Sequence, residues 1–107
     1  MAAPYTINFG YGHLDAPGDV LLKEIPLDDT YVLRDVIVRN SLSGPVSVDV
    51  YFQAGPQAIS LIRDGAIPAL SSRHDEMRQV LPPGSQLRMF CDSSGVTVTT
   101  TGYWLRD

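Results

Sequence analysis

A single cysteine, Cys91, rules out an intrachain disulfide, so the fold must be held by packing. Such sparing use of cysteine fits synthesis in a reducing, intracellular setting. No apolar run approaches the length of a membrane-crossing helix, and the opening MAAPYTINFGYG has no basic stretch followed by an apolar one. The expectation is a protein neither exported by a signal peptide nor embedded in a membrane. Positive charge is also scarce. Eight Lys and Arg stand against twelve Asp and Glu, a formal charge of −4, which argues against nucleic acid or an anionic membrane as partner.

Catalytic signatures are missing as well. There is no G-x-S-x-G elbow, no Cys–His signature and no glycine pattern that would cradle phosphate. Cys91 ends the alternation Leu87, Met89, Cys91, which places it on an apolar face as an inert core residue. Metal-capable groups occur as His13 with Asp15 and as His74, Asp75 and Glu76, without the spacing of a known site. Asp35 and Asp49 fall in expected strands. Paired acids of that kind serve glycosidases only in a deep cleft, so cross-strand ion pairs with Arg34 or Arg39 are expected instead. The reading is of a non-enzyme with no cofactor and no metal.

What the chain does have is short alternating segments divided by turn residues. At 107 residues and 44% hydrophobic content it suits one domain, residues 1–107, with a core to build. Strands are expected over 5–9, 20–25, 30–40, 46–52, 58–63, 77–81, 86–91 and 96–105. Thr30–Asn40 carries apolar groups at both parities, as a strand covered on both faces would. Asp64-Gly65 reads as a tight turn, and 66–75, broken by Pro68, as irregular. About eight short strands without helical periodicity specify an all-β fold, an antiparallel β-sandwich of jelly-roll-like or immunoglobulin-like topology.

Charge is uneven. Residues 1–30 hold Asp15, Asp19, Glu24, Asp28 and Asp29 against Lys23 alone. With its glycines and prolines, the stretch 1–29 is expected to be an extended contact arm for a basic partner. Tyr5, Tyr11, Asp15, Asp28, Asp29, Tyr103 and Trp104 are the expected partner contacts. Tyr103 and Trp104 are adjacent and so point to opposite faces, one of them away from the core.

The stretch YVLRDVIVRNSLSGPVSVDVYF, followed by LPPGSQLRMF and SSGVTVTTTGYWL, resembles the small β-sandwich proteins of tailed bacteriophage particles. The matching residues are Arg34, Asp35, Val36, Val38 and Asn40, then Val46, Val48 and Val50, then Val96 to Val98 with Gly102 and Tyr103. The resemblance covers about residues 30–105. It implies a virion structural protein made in the host cytoplasm, most simply a capsid decoration or cement protein, alternatively a tail or neck accessory. Its partners would be major capsid or tail subunits, and a homo-oligomer, as a trimer, is expected. The competing reading is a module for host-surface carbohydrate. It would use Tyr11, Tyr51, Tyr103 and Trp104 with the loops around Gln53–Gln57 and Ser71–Glu76.

Overall fold

A computed structural model describes residues 5–14 and 17–105, with side chains described for 12–13, 17–62 and 65–104. Eight strands follow in chain order: β1 (Tyr5–Leu14), β2 (Gly18–Glu24), β3 (Thr30–Asn40), β4 (Val46–Ala54), β5 (Gln57–Ile67), β6 (Ser72–Leu81), β7 (Gln86–Cys91) and β8 (Val96–Leu105). They form two four-stranded antiparallel sheets. The first has the order β1-β8-β3-β6 and the second β2-β7-β4-β5. Consecutive strands change sheet everywhere except between β4 and β5, and the neighbours β1–β8, β2–β7, β3–β6 and β4–β5 wind the chain as a jelly roll, which settles the topology left open by strand count.

Alternation builds the core. Leu33, Val36 and Val38 from β3 meet Val48 and Val50 from β4, Leu87, Met89 and Cys91 from β7, and Val96 and Val98 from β8, all at or below 1% exposure. The two apolar parities of β3 arise from a bulge. Relative to β8 the register shifts between Leu33 and Asp35, leaving Arg34 as the extra residue. Tyr31 and Leu33 before the bulge and Val36 and Val38 after it therefore share the inner face. Val32, at the outer parity before the bulge, is buried at 4%, whereas Ile37 after it is 36% exposed, so β3 is covered on both sides only in its first half.

Three expectations are corrected. Residues 5–14 and 18–24 are not an extended arm. They are β1 and β2, hydrogen-bonded along β8 and β7. Asp64-Gly65 is not a turn but part of β5, beside a register shift against β4. A Cβ at Gly65 would lie 2.7 Å from Ile62 and 2.8 Å from a guanidinium nitrogen of Arg73, so glycine there admits a close approach rather than a reversal. Finally, 72–75 are the start of β6 rather than irregular chain, paired with β3 from Arg39↔Ser72 onward.

β6 is an edge strand, and its inward residues up to Gln79 are only half-buried, with Leu81 alone fully in the core. Arg73 and Asp75 face inward there. Arg73 Nε donates to Asp75 Oδ2 at 2.7 Å and Nη2 to Oδ1 at 3.2 Å, and the guanidinium rests against Gly65 of β5. At one end of the sandwich Asn40, 1% exposed, ties the connections together. Its Nδ2 group donates to the carbonyls of Gly44 (2.9 Å), Ile67 (3.2 Å) and Pro68 (3.1 Å), and its Oδ1 accepts from Leu42 N at 2.9 Å. Among the described residues, no buried side-chain nitrogen or oxygen lacks a partner.

Candidate interaction surfaces

With the inner faces consumed by the core, contact chemistry falls to the outer faces of the two sheets and to the loop ends. On the first sheet, cross-strand register sets the outward rows: Glu76–Asp35–Thr101, His74–Ile37–Thr99 and Ser72–Arg39–Thr97. Asp35 is engaged by two neighbours. His74 Nε2 lies 2.8 Å from its Oδ1, and Thr101 Oγ1 donates to its Oδ2 at 3.1 Å. The His74 bond holds the Asp35 carboxyl below its ordinary value, against the opposing effect of burial, and the Thr101 bond adds to it. The expected partners Arg34 and Arg39 do not make this bond. Arg34 stands off, lowering the carboxyl by charge alone.

A depression of about 570 Å³ opens beside the β3 bulge, lined by Arg34, Asp35, Glu76, Arg78 and Tyr103 among others. Asp35, His74 and Glu76 bring donor atoms within 4.8 Å of one another and are the set that would hold a cation. The His74–Asp35 bond already occupies two of these donors, and the guanidinium groups of Arg34 and Arg78 share the depression. Asp75, grouped with them in sequence, is directed inward to Arg73 instead.

On the second sheet the central outward row is Asp19–Phe90–Asp49, an aromatic ring flanked by carboxylates across β2, β7 and β4. Phe90 is 44% exposed. The next row is Leu21–Arg88–Tyr51–Ser60. Asp19 joins the two, accepting from Arg88 Nε at 2.7 Å and from the Tyr51 hydroxyl. Desolvation first, then the Asp19 bond, pushes the Tyr51 phenol up, and the same carboxylate raises Arg88 further. Together these groups shape a cleft of about 420 Å³.

The expected contact residues separate on this framework. Tyr103 faces outward on the first sheet and Trp104 inward, packed against the core. Asp28 is exposed, whereas Asp29, at 2% exposure, is buried where Asp29 N closes a turn onto Pro26 O. The side chains of Tyr5 and Tyr11, and all of Asp15, lie outside the described residues. Tyr51 and Tyr103 stand on opposite sheets and Trp104 packs against the core, so these three of the aromatics named for a carbohydrate platform do not share one surface. Sequence reasoning missed Phe90. Its signal was a phenylalanine at the outward parity of Leu87-Met89-Cys91.

At the ends, Leu27 between β2 and β3 is 86% exposed and Leu70 between β5 and β6 is 74% exposed. Leu70 also holds a left-handed backbone, φ 55°, with its N–H bonded to Leu42 O at 3.0 Å. A β-carbon in that region costs roughly 1 kcal/mol.

No protein-family model matches the chain, and no curated protein matches it by sequence. Solved structures do share its fold. A chain of the infectious bursal disease virus VP2 subviral particle superposes with a TM-score of 0.53 at 14% identity, covering 95% of this chain and 32% of that one. A chain of the T13 particle of the same virus gives 0.56 at 11% identity, over 95% of this chain and 30% of that one. The core of Drosophila NLP, whose structure bears on pentamer formation and histone binding, gives 0.57 at 9% identity, over 98% of this chain and all of that one. This chain thus spans about a third of these two viral chains and the full length of the NLP core. The fold is one found in viral capsid chains.

Proposed function

We propose that this chain is a non-enzymatic structural component of a virion. It acts as a capsid decoration protein of a tailed bacteriophage, adding contacts between neighbouring subunits of the assembled shell. The observation that carries the reading is the distribution of chemistry over the surface. The polar and aromatic groups are spread across two sheet faces and two loop ends, and each titratable cluster is engaged by its own neighbours, as Asp35 is by His74 and Asp19 by Arg88. That arrangement suits a protein that works by area. A part of this kind stabilises an assembly by mass action, since it binds the assembled state alone.

The shared fold with virus-particle chains supports this reading, and the match to the NLP core, whose structure bears on pentamer formation, supports self-association. Tyr103, Asp28 and Leu70 are its proposed shell contacts, all exposed or half-exposed. A tail or neck location uses the same contacts.

The test is co-sedimentation of purified protein with particles assembled without it, followed by heating. Saturable binding and a higher disruption temperature are expected. Particles that neither take up the protein nor gain stability from it would overturn the reading.

A further inference from the structure

The carboxylate clusters of the outer faces have partners of their own, and two arginines do not. Arg34 and Arg78 are both exposed, and among the described residues neither guanidinium makes an ion pair. Their placement follows from the bulge. Against β8 Arg34 is the extra residue, while against β6 the pairs Leu33↔Gln79 and Asp35↔Glu76 enclose Arg34 on one strand and Met77 with Arg78 on the other. Met77 packs against the core, which leaves Arg34 and Arg78 as outward neighbours across the two strands. A bulge that re-aims a side chain in this way is a common device beside a functional site.

Like charges set opposite each other on a sheet repel, and the nearby acids do not relieve this pair. Asp35 is held by His74 at 2.8 Å and by Thr101 at 3.1 Å. Glu76 brings a carboxylate oxygen within 4.8 Å of the donor atoms of Asp35 and His74, yet stays out of ion-pair range of both arginines. The two guanidinium groups instead line the depression of about 570 Å³, with Tyr103 beside them. That volume lies in the range of sites for small organic ligands.

The lining selects the ligand. Two forks of N–H donors match the oxygens of a planar carboxylate. Glu76, on the same wall, opposes a dianion such as phosphate more strongly than a monoanion, and its oxygens accept from hydroxyl groups. Tyr103 supplies an apolar ring with a hydroxyl at its tip. We infer that this depression is a binding site for a sugar acid, with the carboxylate between Arg34 and Arg78, the pyranose ring against Tyr103 and the hydroxyls toward Glu76. The inference goes beyond the structural role above and does not rest on it.

The test is titration of the nitrogen-labelled full chain with methyl glucuronide, read from the shifts of backbone amides and arginine Nε–H groups. Saturable binding in the millimolar range is expected, with shifts centred on Arg34, Arg78 and Tyr103. Methyl glucoside, which lacks the carboxylate, should bind roughly 10-fold more weakly or worse. Arg34→Gln and Arg78→Gln should each weaken methyl glucuronide by roughly 10-fold, as loss of charge-assisted hydrogen bonds does. Arg39→Gln, exposed on the same sheet but outside the depression, should leave it unchanged. Without ligand, Arg34→Gln and Arg78→Gln should each melt about 1–3 °C above wild type, because one of two opposed charges is gone.

A folded chain that binds no methyl glucuronide overturns the inference. So does binding that persists in both arginine variants, or that methyl glucoside matches. An arginine variant that melts below wild type without ligand also overturns it, since the arginines would then serve a partner within the chain. Inorganic phosphate and a blocked aspartate are titrated alongside. Tighter phosphate would make the depression a seat for a bare anion, and a tighter aspartate would give it to an acidic peptide; either result removes the sugar acid.

Discussion

Removing the Asn40 amide should unfasten one end of the sandwich. Two N–H groups of its Nδ2 serve three carbonyls, of Gly44, Ile67 and Pro68, and its Oδ1 serves the amide of Leu42. The side chain therefore ties the end of β3 to both the β3–β4 and the β5–β6 connections. In Asn40→Ala the Ile67 carbonyl is left buried without its donor, which costs about 1–3 kcal/mol. The part-buried Gly44, Pro68 and Leu42 groups regain some water, and their loss adds about 0.5 kcal/mol each. The sum is about 3 kcal/mol, a large share of the roughly 5–15 kcal/mol that holds a domain of this size. With a urea slope of about 1.5 kcal/mol/M, the unfolding midpoint should fall by about 2 M. Asn40→Asp separates hydrogen bonding from packing. It keeps the volume and the acceptor for Leu42 but presents oxygen to three carbonyls, so it should be at least as damaging as alanine at neutral pH. Urea titrations followed by circular dichroism measure both. An aspartate variant as stable as wild type, or an alanine variant within about 1 kcal/mol of it, would refute the argument.

Two further outcomes follow from titratable groups. Asp35 is held below its ordinary value by His74, so its contribution to stability is fully present above the unfolded value. It is lost as pH falls through the folded one. Melting curves of wild type and Asp35→Asn should therefore differ at pH 6 and converge under strong acid, whereas an unchanging gap down to pH 2 would disprove the coupling. The Cys91 thiol is raised chiefly by burial and has 0% exposure. A thiol reagent should accordingly label the native protein far more slowly than the urea-unfolded chain, and equal rates would place Cys91 outside the core.

How much of this was legible in the sequence depended on where each strand sits. Thr30–Asn40, Gln86–Cys91 and Val96–Leu105 were readable to the residue, because the strands they form, β3, β7 and β8, are flanked by a strand on each side and present one face to the core. Edge strands were less legible. β6, SRHDEMRQVL, has charged or polar residues at three of its inward positions, Arg73, Asp75 and Gln79, so an apolar period shows only at Met77 and Leu81, and pairing with β3 overrides the local preference of its first half. β1 was expected to stop at Gly10 and Gly12, yet it continues to Leu14. A Cβ at Gly12 would fall 2.7 Å from Leu22, so that glycine marks a close approach between the sheets. The candidate surfaces fared worse. Asp19, Phe90 and Asp49 are distant in sequence and become a row only through the order β2-β7-β4, which strand count does not encode.

That same winding has a temporal consequence. Tyr5 pairs with Trp104 and Leu14 with Val96, so β1 has no partner within its sheet until β8 has been made. Loop closure over such a separation is entropically expensive, and folds dominated by non-local pairs form slowly. While it waits, β1 exposes unpaired backbone, and so does β3, which needs β8 on one side. The last strand is the one that completes the first sheet. A copy of this chain presents the finished outer face of its first sheet only once β8 is in place.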